Sequence, residues 1–75
     1  MSENFSMLFL KCINKKITLR MNNGKTINGM LVEYDEFMNM TLNDAREESN
    51  ENFKNLGNTL IRGSSITAIV LPDEN

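Results

Sequence analysis

The stretch Ile17-Thr18-Leu19-Arg20-Met21-Asn22-Asn23-Gly24-Lys25-Thr26-Ile27-Asn28-Gly29-Met30-Leu31 decides the fold. Ile17, Leu19 and Met21 alternate with Thr18, Arg20 and Asn22, a period of two that describes a strand with one wet face. Asn23-Gly24 then supplies a strong hairpin signal, because both residues tolerate the positive φ of a tight type I′ turn. A second strand is expected from Lys25 to Tyr34. Gly29 sits in its interior, where a missing side chain marks a bulge or sharp bend, so the sheet should curve strongly.

Working toward the C-terminus, Asp35-Glu36 breaks the alternation, and a third strand resumes near Met38 and runs through Met40 and Leu42 to Ala45. The segment Arg46 to Lys54 has almost no apolar content and reads as an exposed loop, mobile at its tip. A fourth strand is expected over Asn58 to Arg62 and a fifth over Ile66 to Leu71, ended by Pro72 and followed by the acidic tail Asp73-Glu74-Asn75. Toward the N-terminus, Phe5, Leu8, Phe9, Cys12 and Ile13 share one face at helical spacing. Ser2 suits the N-cap and Glu3 the positive end of the helix dipole. Met7 and Leu10 widen the apolar arc.

The fold class expected is therefore mainly β: an N-terminal α-helix followed by a strongly bent five-stranded antiparallel sheet that forms a small open barrel. An open barrel leaves edges. The fifth strand is apolar on both faces, which suits assembly, the fourth strand of one subunit extending the next subunit's sheet through its fifth.

Seventy-five residues make one domain with a thin core. One cysteine, Cys12, excludes an internal disulfide, and with no histidine there is no zinc site. A neighbouring subunit remains as the source of extra stability. The longest wholly apolar run is Met7 to Leu10, so neither a secretory signal nor a membrane span is expected. A lone thiol fits the reducing cytosol or nucleus.

The formal charge is -2, with eight basic and ten acidic side chains. A free-standing nucleic-acid binder would show a basic patch and high pI, whereas this chain has pI near 5.0. Any nucleic-acid contact must rest on stacking and hydrogen bonding, or on charge from partner subunits.

Catalysis has little to stand on. Histidine is absent, Cys12 lies on the apolar helix face, and no phosphate-binding glycine loop is present, so no cofactor is expected. Two short segments stand out instead. In Asp35-Glu36-Phe37-Met38-Asn39 an aromatic ring is held between an acid and an amide, a set on which bases of single-stranded RNA stack and hydrogen-bond. In Arg62-Gly63-Ser64 a glycine permits a turn beside a planar guanidinium that can stack on a base. The residues equally fit a bland reading, in which Phe37 plugs the barrel end, Asp35 caps a turn and Arg62 pairs with a surface acid.

Gly24-Lys25-Thr26-Ile27-Asn28-Gly29-Met30-Leu31, followed by Tyr34-Asp35-Glu36-Phe37-Met38-Asn39, resembles the first signature of the Sm and Sm-like proteins, and Ile61-Arg62-Gly63-Ser64-Ser65-Ile66 resembles the second. The resemblance implies a single domain laid out as a helix over 3–13, a first signature over 17–45, an acidic loop over 46–55 and a second signature over 56–71. It also implies a non-catalytic subunit of a seven-membered ring around uridine-rich single-stranded RNA, acting in splicing, in nucleus and cytoplasm, with E- and F-type sister subunits as neighbours. By the same resemblance Phe37 stacks on a base, Asn39 bonds its edge, Arg62 covers it, Asp35 orients Asn39 and Gly63 gives the base room. Met38 and Ser64 complete the site. Ser64 stands where the most similar spliceosomal subunit type has asparagine, which keeps open an Sm-like ring acting on U6 RNA or in mRNA decay. A scaffold without RNA contact, and assembly of the chain with itself, also remain open.

Overall fold

The computed structural model describes residues 3–72, with side chains from residue 7 onward. The expected cap Ser2, the side chain of Phe5 and the acidic tail lie outside the described residues. The chain order is α1 (Glu3–Lys11), β1 (Lys16–Met21), β2 (Thr26–Tyr34), β3 (Met40–Ser49), β4 (Asn52–Ile61), a 3-10 turn (Gly63–Ser65) and β5 (Ile66–Val70). The strands form one antiparallel sheet in the order β4-β3-β2-β1-β5, leaving β4 and β5 as its two edges.

The helix stops where its chemistry changes. Asn14 takes a left-handed φ of 69°, which asparagine tolerates better than most residues. The backbone then docks onto β2, the Asn14 amide donating to the Leu31 carbonyl at 2.7 Å and the Leu31 amide to the Lys15 carbonyl at 2.9 Å. That anchor sets Phe9 and Cys12 over one end of the curled sheet. They join Ile17, Leu19, Ile27, Leu31, Met40, Leu42, Ala45 and Ile61 in the core. Phe9 also packs against Tyr34, ring centroids 5.7 Å apart. Cys12 is a buried free thiol, as its place on the apolar face implied. Leu8 departs from that face and stays exposed beside β5.

The β1–β2 hairpin is present with a different turn. Gly24 takes φ 87° while Asn23 does not become positive. The Gly24 amide donates to Met21 O at 3.0 Å, the Met21 amide to Lys25 O at 2.9 Å, and the Asn23 side chain accepts from the Lys25 amide at 2.9 Å. This is a three-residue loop, Asn22 to Gly24, with glycine at the left-handed position, so a single positive φ suffices.

Gly29 bends the sheet as expected. The β2–β3 register shifts between Asn28 and Met30, and a Cβ on Gly29 would stand 3.0 Å from Leu42 Cβ and 3.3 Å from Ala45 Cα.

The acidic loop expected over 46–55 is a correction. Residues up to Ser49 continue β3, β4 begins at Asn52, and only Asn50-Glu51 turn the chain. This ribbon projects beyond the core, so both of its faces are polar and no alternation of apolar residues marks it. Ladder bonds and polar cross-strand contacts hold it: Asn28 donates to Glu48 at 3.2 Å, Lys25 lies 4.0 Å from Glu47, and Arg46 covers Phe53. For the same reason β4 starts earlier than the expected Asn58; at the other end it stops before Arg62, and β3 starts at Met40 rather than Met38 because Met38 belongs to the turn closed on Asp35.

Gly29→Ala should lower the urea midpoint by an amount equivalent to about 1–3 kcal/mol, the usual cost of overpacking. An unchanged midpoint would show that the bend has slack at Leu42.

Candidate nucleic-acid interface

The loop between β2 and β3 is organised by one carboxylate. Asp35 Oδ1 accepts the backbone amides of Phe37 and Asn39, each at 2.9 Å, and Oδ2 accepts Asn39 Nδ2 at 3.0 Å. The backbone closes the same turn, Asp35 N donating to Asn39 O at 3.1 Å and Met38 N to Asp35 O at 3.0 Å. Two of these bonds are the aspartate side-chain turn that suits Asp to such loops. Met38 is forced to φ 65°, an uncommon conformation for a non-glycine residue.

Asn39 then reaches across to the second loop. Its Oδ1 accepts the Gly63 amide at 2.8 Å. Gly63 can approach only because it lacks a side chain: a Cβ there would overlap the Phe37 carbonyl oxygen and stand 2.8 Å from Met38 C. Glycine at this position thus makes room first for the neighbouring loop. Arg62 before it is extended, and the 3-10 turn after it is tied back through the Ser65 amide to Arg62 O at 3.0 Å.

The outcome for the seven residues singled out in the sequence is uneven. Asp35, Asn39 and Gly63 are directly linked, and they bring the Phe37 backbone against the Gly63 backbone. Phe37 is 71% exposed and Arg62 is exposed beside this junction. Met38 turns inward instead, half-buried against the core and lining a groove with Leu8 and Phe9. Ser64 is exposed, and its hydroxyl makes no hydrogen bond among the described residues; the Gly63 amide makes the link to the first loop. Sequence reasoning passed over the cleft of about 260 Å³ alongside, where Glu33, Tyr34, Thr41 and Leu60 adjoin Asp35 and Asn39. Its signal, the pairing of Thr41 with Leu60, depends on a register that residue types alone do not reveal.

Electrostatically the site is mild. The Asn39 side-chain amide, helped by the backbone amides of Asn39 and Phe37, holds the Asp35 carboxyl below its ordinary value against an opposing desolvation that outweighs either backbone amide alone. No group of three or more His, Cys, Asp or Glu side chains able to hold a metal occurs among the described residues. What the arrangement offers is an exposed aromatic face, a guanidinium and a fixed amide: equipment for stacking and hydrogen bonding to a flat polar ligand.

A small barrel of five bent strands, capped by a helix and carrying two interlocked loops at one end, defines the class. The LSM domain model matches residues 7–71, and the chain belongs to this family of Sm and Sm-like proteins. It is 40% identical over 60 residues to a probable small nuclear ribonucleoprotein G of Drosophila melanogaster, covering 79% of each chain. Among solved structures it superposes with a TM-score of 0.82 on a heptameric archaeal Sm protein, 25% identical, covering 91% of this chain and 98% of that one. The Sm protein of Pyrococcus abyssi in complex with a uridine heptamer gives the same TM-score and identity, over 91% of this chain and 96% of the other.

Because the depressed Asp35 carboxyl favours the folded loop, its contribution is complete above the ordinary carboxylate value and is lost as pH falls through the folded one. Amide resonances of Phe37 and Asn39 should therefore move together when the protein is titrated below about pH 4, and Asp35→Asn should abolish that shared transition. Independent movement of the two amides would contradict a common acceptor.

Proposed function

We propose that this chain is a non-catalytic ring subunit of the G type in a small nuclear ribonucleoprotein core, where it holds uridine-rich single-stranded RNA together with sister Sm subunits. The observation that carries the reading is the bond from Gly63 to Asn39, which joins the two loops bearing Phe37 and Arg62. In this reading a uracil stacks on Phe37, Arg62 covers its other face, and Asn39, oriented by Asp35, bonds its edge. Gly63 keeps the loops in contact, with Met38 beneath and Ser64 at the rim. The names of the Drosophila relative and of the uridine-bound archaeal structure support it.

The acidity of the chain fits a shared ring. Each subunit adds about one stacked base, worth roughly 1–3 kcal/mol, so no single member needs a basic surface. Ring closure uses the two free edges. Leu60 on β4 is 68% exposed and Val70 on β5 is 51% exposed, and both point to the outer face, where pairing β4 with a neighbour's β5 removes them from water. E- and F-type subunits are the neighbours proposed, and because one chain carries both edges it can also add to itself when sisters are absent. Its places of action in this reading are the nucleus and the cytoplasm.

Ser64 favours a second reading. A hydroxyl with no bond to the first loop is the small residue that the resemblance ties to Sm-like rings on U6 RNA or in mRNA decay.

Co-expression with E- and F-type partners should give a mixed complex by native mass spectrometry, and recovery of free monomer from every pairing would overturn the ring reading. In the assembled ring, Phe37→Ala and Arg62→Ala should each weaken oligouridine binding by about 1 kcal/mol or more. Unchanged affinity in both would leave a scaffold without RNA contact.

A further inference from the structure

The outer face of the sheet carries two cross-strand rows of side chains well away from the interlocked loops. One runs Thr18, Asn28, Arg46, Asn55 and the next Arg20, Thr26, Glu48, Phe53. Phe53 is 64% exposed, an unusual position for a large ring on a wet ribbon, and Arg46 lies over it with Cζ 4.7 Å from the centroid. Arg46 makes no ion pair among the described residues, so its guanidinium is held over the ring rather than by a carboxylate.

The backbone opens a cleft beside this pair. Asp44 on β3 and Gly57 on β4 take positive φ, 53° and 68°, where the β3–β4 register shifts around Ala45. The result is a recess of about 320 Å³ lined by Asp44, Ala45, Arg46, Asn55 and Gly57. A second recess of about 120 Å³ lies on the other side of Arg46, with Lys16 and Asn28 in its wall. Thr18 donates to Asn28 Oδ1 at 2.6 Å and Asn28 to Glu48 at 3.2 Å, so the middle of the row is fixed and the Glu48 carboxylate already accepts a partner.

The residue types matter more than the volume. An aromatic ring, a stacked guanidinium, an amide and a carboxylate are gathered here as Phe53, Arg46, Asn55 and Asp44, the same four types as Phe37, Arg62, Asn39 and Asp35. Across this outer face Lys16, Arg20 and Arg46 are matched in number by Glu33, Asp44 and Glu48, so the face is close to neutral where the chain as a whole is acidic. From Phe53 to Arg62 the strand spans about 30 Å, so one nucleotide cannot engage both places.

We propose that Arg46 and Phe53 form a second nucleobase subsite for single-stranded RNA. The base stacks on their layer, its edge meets Asn55 and Asp44 in the larger recess, and Lys16 and Arg20 face the phosphates. The proposal rests on the RNA-binding reading above and adds a contact outside the ring's central loops.

The test uses the reconstituted ring with two probes, heptauridine and an oligouridine of about twenty nucleotides, long enough to run from the loops to the ribbon. Phe53→Ala and Arg46→Ala should each weaken the long probe about fivefold or more and leave the short one unchanged, while Phe53→Tyr keeps the affinity. Phe37→Ala should weaken both. If the ribbon variants, melting like the parent ring, leave the long probe unaffected while Phe37→Ala weakens both, the subsite is absent and the loop reading stands. If Phe37→Ala changes neither probe and Phe53→Ala weakens the long one, the loop reading fails and the subsite stands.

Discussion

One backbone amide joins the functional half of this protein: Gly63 donates to the side chain of Asn39, and the Asp35 carboxylate fixes that side chain. The two loops are separated by the whole of β3 and β4, yet the bond and the absent Cβ of Gly63 set them in direct contact. Without the carboxylate, Asn39 has no fixed direction. Without the glycine, the Phe37 carbonyl blocks the approach. The exposed groups flanking the contact, Phe37 and Arg62, inherit their positions from it rather than from any packing of their own.

The rest of the fold serves that junction. Gly29 bends β2 close over Leu42, and the antiparallel pairing of β3 with β4, which sets Met40 opposite Ile61, brings the start of β3 and the end of β4 beside one another. Phe9 of the helix and Cys12 just after it join the same small core. Ten buried apolar side chains among the described residues are few, and the sheet keeps two unpaired edges with exposed Leu60 and Val70. Stability and assembly are thus expected to be linked, since a partner that covers the edges adds apolar burial which the chain cannot supply alone.

The central strands were legible because each has a buried face and a wet face. Ile17 and Leu19 alternate with polar residues and, with Ile27 and Leu31 at period-two positions of β2, are buried as the pattern requires. The loop residues were legible for a different reason, since Asp, Asn and Gly at fixed spacing match a known family. The ribbon from Arg46 to Asn55 was not legible, because a two-stranded extension past the core buries neither face and its pairing leaves no apolar period. The turn at Asn22 to Gly24 was misread in type for lack of any residue-level signal separating a two-residue from a three-residue loop. Ser64 was counted in the site by resemblance, and only the backbone geometry shows that the preceding amide makes the contact with the first loop.

Hydrogen exchange at the Gly63 amide tests the central claim most directly. The account predicts strong protection at Gly63 compared with Ser64, and loss of that protection in Asn39→Ala with the core amides of β1 and β2 unaffected. A Gly63 amide that exchanges as fast in the parent protein as in the variant would mean that the two loops are not joined through Asn39.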